Sequence, residues 1–339
     1  MFDFTYFIVC LYRMLFLFMN ISDAVIYIND LTQNHIPHIF VFDYALTQAY
    51  VWKTDEIPHD VLVSFPSFSN TDCNKQISQP QLTFTPIPLD TYYSSFEIVQ
   101  YHLQRGNSFL VNLTAETPIH TKSSLPDIFY ASSAPFKLCI DNEFIVFSPE
   151  PFISISNNCI QTFPMKGTID ARIEDAHEKI LNNNKEMAEH ATIVDLLRND
   201  MSMIAQNVRV RKYRYTETIQ TTNSPLIQVS SCIEGTIIPE LQKKYGSILY
   251  SMLPAGSICG APKPKTLEII KEAETHDRGF YTGVMGFSNG HKLESAVMIR
   301  FIQQKKSKLY YKSGGGITTQ SNKNDEYNEL IQKIYVPTH

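Results

Sequence analysis

Two pairs of glutamates are spaced so that each pair shares one face of a helix. Glu186 lies three residues before Glu189, and Glu326 lies three residues before Glu329. Two such faces meeting across a cleft would offer several carboxylate oxygens to a hard ion such as Mg²⁺, which takes one or two carboxylates plus water and an anionic substrate. Acidic pairs are also common on solvated helix faces, so the spacing alone leaves both interpretations open.

Two further residues could carry out chemistry on a substrate. Lys166 lies in PMKGT, where Pro164 restricts the backbone before it and Gly167 makes the backbone permissive after it. It is a candidate nucleophile. A lysine attacks carbon only as the free amine, so its pKa must fall from about 10.4 through desolvation or a neighbouring cation. Glu150, in SPEPF after an apolar strand, is a candidate general acid. Taken alone, a surface lysine and an ordinary turn residue are the competing interpretations.

The glycines are unevenly placed along the chain. None precedes Gly106, and nine of the 13 lie between Gly256 and Gly316. The segment PAGSICGAPK, residues 254–263, places small residues ahead of a helix, where exposed N–H groups bind anions. The three glycines from Gly314 follow a predicted strand and could bring backbone donors to the same ligand, or form a plain tight turn. This clustering therefore predicts a ligand site in the last quarter of the chain.

These candidates must be positioned by a fold that the hydrophobic pattern predicts to be α+β with antiparallel sheets. Short apolar runs typical of strands fill the first half, and runs of strands, not a strict strand–helix alternation, fill the second. The predicted helices are residues 175–198, 241–252, 262–274 and 323–336, and the predicted later strands are 208–215, 226–234, 281–288, 295–303 and 308–311. The polar stretch 67–80 is a predicted loop that divides an abbreviated N-terminal segment, 1–90, from a catalytic core, 91–339, on which it packs.

Composition excludes several classes of protein. The 339 residues carry a net charge of −5 with no block of Lys and Arg, which argues against a nucleic-acid partner. The six cysteines are far apart without a CxxC pair, so no disulfide scaffold, zinc ribbon or redox motif is predicted, and a reducing cytoplasm fits. The apolar run 4–19 is short, contains Arg13 and lacks a basic start, so a buried strand or an early start codon is favoured over a membrane anchor.

Eight segments occur together in a fixed order along the chain. They are SPEPF (148–152), PMKGT (164–168), EHATIVDLLRND (189–200), PAGSICGAPK (254–263), RGFYTGVMGF (278–287), MIR (298–300), GGGI (314–317) and EYNELIQK (326–333). In these segments and their order, over roughly residues 96–336, the chain resembles the chorismate-utilising enzymes, which include the large subunits of anthranilate synthase and aminodeoxychorismate synthase and the salicylate and isochorismate synthases. The residues before 96 match poorly, so the resemblance does not extend to a regulatory tryptophan pocket.

The resemblance implies a large antiparallel β-sandwich with peripheral helices and a Mg²⁺ ion that bridges the ring carboxylate of chorismate. It implies Glu189 and Glu329 as the principal metal ligands, with Glu186 and Glu326 beside them. Arginine suits carboxylate binding because its planar fork pairs with both oxygens. The residues that the resemblance places around the substrate are Thr168, Gly256, Ser257, Tyr281, Arg300, Gly314, Gly315, Gly316, Ile317 and Lys333.

Two positions separate the branches of this family. PMKGT resembles the aminodeoxychorismate synthase form, in which Lys166 would add at C2 while Glu150 protonates the departing C4 hydroxyl, and ammonia then displaces the lysine at C4. Leu110 stands where the water-adding synthases have a lysine base, and an aliphatic side chain cannot accept a proton. The water-adding branch is therefore disfavoured. Two departures from the usual family pattern, Gln228 and Cys259, remove none of the implied ligands.

The implied nitrogen source lies outside the chain. Because no glutaminase nucleophile motif is recognisable, the resemblance implies a separate glutamine amidotransferase that supplies ammonia, in a route to 4-aminobenzoate and folate. Anthranilate synthase component I is the alternative enzyme. A non-catalytic homologue that binds chorismate or a partner is the alternative of another class.

Overall fold

The computed structural model describes residues 18–71, 78–219 and 225–338. The helices are α1 (Ile21–Gln33), α2 (Leu89–Gln104), α3 (Leu125–Ala131), α4 (Ala176–Leu181), α5 (Asn184–Ser202), α6 (Tyr245–Met252), α7 (Gly256–Cys259), α8 (Lys263–Ala273) and α9 (Lys323–Gln332), with a 3₁₀ turn at Pro239–Leu241. None of the helices in these ranges is long and apolar enough to span a membrane.

The strands run through the whole described chain. They are β1 (Met19–Asn20), β2 (His38–Phe42), β3 (Gln48–Lys53), β4 (Val61–Phe65), β5 (Phe68–Ser69), β6 (Thr83–Phe84), β7 (Leu110–His120), β8 (Phe136–Ile140), β9 (Phe144–Ser148), β10 (Pro151–Ser156), β11 (Cys159–Thr162), β12 (Met165–Asp170), β13 (Ala205–Ile219), β14 (Leu226–Ile237), β15 (Gly260–Ala261), β16 (Val284–Ser288), β17 (Leu293–Val297), β18 (Phe301–Lys305) and β19 (Lys308–Ile317).

The strands form two antiparallel sheets. The first has the order β1-β3-β2-β16-β17-β10-β11-β14-β12, with β13 also paired to β14. The second has the order β15-β7-β19-β18-β9-β8-β4-β5, with β6 also paired to β7. The predicted α+β fold, with large antiparallel sheets and helices on the outside, is confirmed. Strands from residues 19–69 take part in both sheets, β1 to β3 in the first and β4 and β5 in the second.

Alternating side chains divide the core into layers. On β2, Ile39 and Val41 pack between the two sheets, against residues such as Val63 and Val146 of the second sheet. Phe40 and Phe42, on the opposite face of the same strand, pack beneath the outer helices. This two-residue period is what a strand covered on both faces requires, because successive side chains point to opposite sides. A further cluster packs α3 against the outer face of the second sheet.

The chain passes from one sheet to the other at two adjacent places. Between β9 and β10 it crosses at Pro149 and Glu150, and between β17 and β18 it crosses at residues 298–300. The crossings are joined by backbone hydrogen bonds, from Val297 N to Glu150 O at 3.1 Å and from Phe147 N to Arg300 O at 3.1 Å. Arg300 has a left-handed backbone, with φ of 56°, and such strain often occurs at functional sites. Both crossings therefore carry a predicted site residue.

Several predicted boundaries differ from the structure. The helix predicted at 175–198 is two helices, because the Asn183 side chain accepts a hydrogen bond from Glu186 N and starts α5 afresh. The strand predicted at 295–303 is interrupted at the sheet crossing, and the helix predicted at 323–336 ends at Gln332. The predicted loop 67–80 contains β5, and its residues 72–77 lie outside the described part. The apolar run 4–19 also lies outside it, except for Phe18 and Met19.

Candidate active site

Lys166 lies on β12 and points toward two other predicted site segments. Its Nζ is 3.4 Å from Glu189 Oε2 on α5, and the two side chains are 23% and 12% exposed. A Cβ built on Gly316 would lie 3.0 Å from the same Nζ. The lysine amine therefore lies between helix α5 and the glycine segment of β19, in a partly shielded position rather than on the open surface.

Gly314, Gly315 and Gly316 lie within β19, so the tight-turn interpretation and the predicted end of this strand at Tyr311 are both wrong. These glycines pair with Thr114, Leu113 and Asn112 on β7. On the other side, the described pairing of β18 reaches only as far as Lys312. The outward-facing backbone groups of β19 beyond that point therefore have no strand partner among the described residues, as an amide cradle for an anion would require.

The absence of side chains on these glycines creates space in the site. A Cβ on Gly316 would also lie 3.0 Å from Leu110 Cδ1, so Leu110 and Lys166 face each other across this position. A Cβ on Gly315 would lie 3.4 Å from Glu326 Oε2, 3.7 Å from Glu329 Oε1 and 3.8 Å from Lys333 Nζ. The glycine strand, which is the part of β19 from Gly314 to Gly316, thus faces Lys166 at Gly316 and the acidic side chains of α9 at Gly315.

Replacing Gly316 by alanine should displace Lys166 or Leu110, because 3.0 Å is too close for an ordinary Cβ contact. We expect chorismate turnover by Gly316→Ala to fall at least about tenfold, since a shift of about 1 Å at a reacting group can cost 10²-fold. Gly315→Ala is the matched variant, because its Cβ would make ordinary contacts of 3.4 Å or more. Steady-state kinetics and thermal melting of both proteins test this, and an equal or larger loss in Gly315→Ala would contradict it.

Glu150, at the first sheet crossing, is held by a residue of the short helix α7. Ser257 Oγ donates a hydrogen bond of 3.0 Å to Glu150 Oε1. Burial raises the pKa of Glu150, while the hydrogen bond from Ser257 and the positive charges of Lys166, Arg300 and Lys333 act in the opposite direction. This carboxyl therefore holds its proton to a higher pH than a solvated glutamate, as a general acid must.

Three predicted carboxylate-binding residues surround the same region. Lys333, just after α9, contacts Glu329 Oε1 at 2.7 Å and donates to Gly314 O at 2.8 Å. Burial lowers the pKa of Lys333, and Glu329 opposes this effect. The Arg300 guanidinium lies 5.1 Å from the centre of the Tyr335 ring. Tyr281 is 3% exposed, and burial raises the pKa of its hydroxyl.

Other predicted residues have more ordinary surroundings. Thr168 is exposed on β12 and pairs with Gln228 of β14. Gly256, the first residue of α7, is buried, and a Cβ there would lie 2.6 Å from Leu196 Cδ2, so this glycine permits close packing of α7 on α5. Ile317 is buried at the end of β19.

The acidic pairs lie on α5 and α9, with Glu189 beside Lys166 and with Glu326 and Glu329 beside the Gly315 position. Glu326 is 6% exposed and accepts a hydrogen bond of 2.6 Å from Ser321 Oγ. Gly167 has φ of +86°, and a Cβ there would lie 3.0 Å from Glu186 Oε2. No three His, Cys, Asp or Glu side chains of residues 18–71, 78–219 and 225–338 are grouped as ligands of one ion. Because Mg²⁺ needs only one or two protein carboxylates, the oxygen donors around these glycines fit its chemistry.

Two residues near the site carried no recognisable signal in the sequence. His190, next to Glu189, is buried, and its Nε2 lies 2.6 Å from Ser231 Oγ. Burial lowers the pKa of His190 to about 4, assisted by Arg214 and Lys166, so the ring is neutral. Arg278 is 2% exposed and donates a hydrogen bond to Asn112 O on β7, the strand paired with the glycines of β19. Both residues occur within matching motifs, but spacing along the chain could not show what they contact.

In this sandwich of antiparallel sheets, the cations, the acidic side chains and the glycines of β19 form a site with the chemistry to bind an anionic ligand. The chain belongs to the chorismate binding enzyme family, whose sequence profile matches residues 17–339. It is therefore a chorismate-utilising enzyme.

Individual relatives agree with this family assignment. A Haemophilus influenzae protein named as an uncharacterized PabA-like protein is 43% identical over 311 residues, covering 91% of this chain and 94% of that protein. Aminodeoxychorismate synthase component 1 of Salmonella typhimurium is 30% identical over 313 residues, covering 84% of this chain and 67% of that protein. The crystal structure of anthranilate synthase component I from Streptococcus pneumoniae is similar with a TM-score of 0.64 at 26% identity, covering 76% and 59% of the two chains.

Proposed function

We propose that the protein is aminodeoxychorismate synthase component I, which converts chorismate and ammonia to 4-amino-4-deoxychorismate and water. The observation that carries this proposal is the position of Lys166, whose Nζ lies 3.4 Å from Glu189 and next to Gly316. A lysine in that place can attack a ring held against the glycine strand. Leu110, on the other side of the Gly316 position, offers no base to activate water. The geometry thus favours amination through a lysine adduct over addition of water.

The proposed reaction uses Lys166 and Glu150 in turn. The free amine of Lys166 forms a bond to C2, both ring double bonds shift by one position, and the C4–O bond breaks as Glu150 donates its proton and water leaves. Ammonia then forms a bond to C4, both double bonds shift back, and the C2–N bond to Lys166 breaks, which restores the free amine. The added nitrogen gives up one proton, which returns to Glu150. The raised pKa of Glu150 keeps its proton available for the first step.

The remaining cations and amides bind and orient the two carboxylates of the substrate. Arg300 and Lys333 supply positive charge, Tyr281 supplies a hydroxyl, and the outward-facing amides of β19 supply uncharged donors. Burial of Tyr281 and partial burial of Lys333 limit the access of water to these groups, which strengthens their interaction with an anion. Ser257 holds Glu150 in place from α7.

The carboxylates of Glu189 and Glu329, with Glu186 and Glu326 beside them, would hold Mg²⁺. Bound there, the ion would neutralise a carboxylate of chorismate among the acidic side chains. We also propose that a separate glutamine amidotransferase supplies ammonia and that the protein acts in the cytoplasm, in 4-aminobenzoate and folate synthesis.

Product analysis tests this proposal directly. We expect the purified protein, given chorismate, Mg²⁺ and ammonium, to form 4-amino-4-deoxychorismate, identified by its mass, and we expect chelation by EDTA to stop the reaction until Mg²⁺ is restored. Anthranilate with pyruvate as the product would contradict the proposal in favour of anthranilate synthase. Binding of chorismate that depends on Mg²⁺, with no product even when the amidotransferase is present, would indicate a non-catalytic homologue.

A further inference from the structure

Arg278 is a fully buried cation whose hydrogen bonds are all satisfied. Its side chain is 2% exposed and pairs with that of Glu274, which is 3% exposed. An arginine has five N–H donors in a fixed fork, and here each of the five has an acceptor. They are Glu274 Oε2 at 2.9 Å, Glu274 Oε1 at 2.6 Å, Ile258 O at 3.0 Å, Thr282 Oγ1 at 3.3 Å and Asn112 O at 2.6 Å.

Three of the four acceptor residues lie in, or pair with, a segment that carries part of the candidate active site. Ile258 follows Ser257, the residue that holds Glu150. Asn112 pairs with Gly316 across the β7–β19 ladder, and its own side chain donates to Ile258 O at 2.9 Å. Thr282 follows Tyr281 in the chain. One guanidinium group therefore joins α7, the Tyr281 segment and β7, the strand paired with the glycines of β19. None of its five hydrogen bonds goes to Lys166 or Glu150.

The surroundings fix Arg278 itself in one position. Glu274 Oε1 also accepts hydrogen bonds of 2.8 Å from both the amide and the hydroxyl of Thr114, on β7. Lys312 Nζ donates to the carbonyl oxygens of Asp277 at 2.7 Å and Arg278 at 2.9 Å, and so anchors the Arg278 backbone to β19. The Tyr44 ring centre lies 4.4 Å from the guanidinium carbon. Such a closed network rigidifies the groups that it connects.

We propose that Arg278 is a positioning residue, which sets the place of α7 relative to the glycine strand and thereby maintains the hydrogen bond from Ser257 to Glu150. This inference rests on the proposed role of Glu150 as general acid. Ser257 reaches Glu150 from a helix of only four residues, Gly256–Cys259, whose own hydrogen bonds cannot hold it rigidly. The bonds from Arg278 and Asn112 to Ile258 O supply that constraint.

Replacing Arg278 by lysine keeps the charge but removes the fork. A lysine has three donors on one atom and cannot reach acceptors on four segments at once. We expect α7 to move and the Ser257–Glu150 bond to lengthen. Because that bond favours the ionised form of Glu150, its loss should raise the pKa of Glu150 further. The other charged or titratable groups that act on this carboxyl are unchanged in the variant; they are Lys166, Arg300, Lys333 and Tyr281.

The test is the pH dependence of chorismate consumption in full-length Arg278→Lys, Ser257→Ala and the double variant. The protonated acid is the active form, so activity declines as pH rises through the pKa of Glu150, and this decline should move to higher pH by about one unit in each variant. In the double variant the two shifts should not add. We also expect kcat of Arg278→Lys to fall roughly tenfold to a hundredfold. Arg198→Lys, an exchange on the surface of α5, should behave as wild type.

A purely structural role would lower the melting temperature and the active fraction of Arg278→Lys but leave the pH of the decline at its wild-type value, and that result would overturn the proposal. Should Arg278→Lys fail to fold, Glu274→Gln is the milder variant, because it keeps an acceptor for Arg278 but loses the charge. It should give a smaller shift in the same direction, and the wild-type value would again overturn the proposal.

Failure of the proposed function would look different. Chorismate consumption does not depend on which product forms, so wild-type protein that makes anthranilate would contradict the function and leave the pH experiment intact. If wild-type protein consumes no chorismate, the positioning role of Arg278 is tested by hydrogen–deuterium exchange of residues 255–261. Faster exchange there in Arg278→Lys than in Arg198→Lys supports the positioning role, and equal exchange overturns it.

Discussion

Replacing Lys166 by alanine is expected to lower the rate of 4-amino-4-deoxychorismate formation by at least about 10³-fold, since loss of a covalent nucleophile removes the step on which the others depend. The loss should fall on kcat, because Arg300, Lys333 and the amides of β19 still bind the substrate. Lys166→Arg should be as inactive, because it keeps a positive charge near Glu189 but provides no free amine. If Lys166 only assisted binding as a cation, Lys166→Arg would keep more activity than Lys166→Ala, whereas loss of a nucleophile makes both equally inactive.

The covalent step itself can be observed by mass. Without ammonia, wild-type protein incubated with chorismate and Mg²⁺ should accumulate an adduct whose mass exceeds that of the protein by chorismate less one water. Peptide mapping should place it on Lys166, and Lys166→Ala should show none. Lys292→Ala, at an exposed lysine before β17, is the control and should retain both rate and adduct. Full activity in Lys166→Ala would refute covalent catalysis while leaving the reaction class intact.

The sequence was most informative where local pattern and chemistry coincide. The i, i+3 spacing placed Glu186 with Glu189 and Glu326 with Glu329 on helices, and both pairs do lie on helices. Short apolar runs predicted strands, and the occurrence of these strands in runs, without strict strand–helix alternation, likewise led to an antiparallel α+β fold. These properties depend on neighbours within one turn or one strand, so a single sequence contains them.

Contacts between distant segments could not be obtained in this way. Nothing within MIR predicts that Arg300 lies at a sheet crossing beside Glu150, because the crossing depends on pairing of β17 and β18 with strands about 150 residues earlier. The glycines of β19 were predicted to follow a strand ending at Tyr311, with backbone donors to a ligand and a plain tight turn as the two alternatives. In the structure they lie in a strand, and at Gly316 the space for Lys166, and not a positive φ, requires the missing side chain. Arg278 begins a matching motif, but nothing in that motif indicates its role, since the role consists of five hydrogen bonds to residues on four segments.

Glu150→Gln is expected to lower the rate roughly 10²-fold to 10⁴-fold, the range typical of general acid catalysis. Glutamine has nearly the same shape and can still accept the hydrogen bond from Ser257, so chorismate binding and folding should change little. It cannot donate a proton to the departing hydroxyl, which leaves as water only if protonated. The loss should therefore appear in kcat. In the incubation without ammonia, Glu150→Gln should also fail to form the lysine adduct that the wild-type protein accumulates.

The pH dependence of the same variants makes the assignment specific. In wild-type protein the rate should decline as pH rises through the pKa of Glu150, which burial places above that of a solvated glutamate. Glu150→Gln should lose that decline, because no proton remains to dissociate, whereas Glu150→Asp should retain it at a lower rate, since its carboxyl is one methylene further from the substrate. Glu240→Gln, at an exposed residue of the 3₁₀ turn, should keep the wild-type profile. If the rate of Glu150→Gln still declines as pH rises, the decline belongs to another group and the assignment to Glu150 is wrong. Tyr281 and Lys333 are the alternative groups, because burial raises the pKa of Tyr281 and lowers that of Lys333.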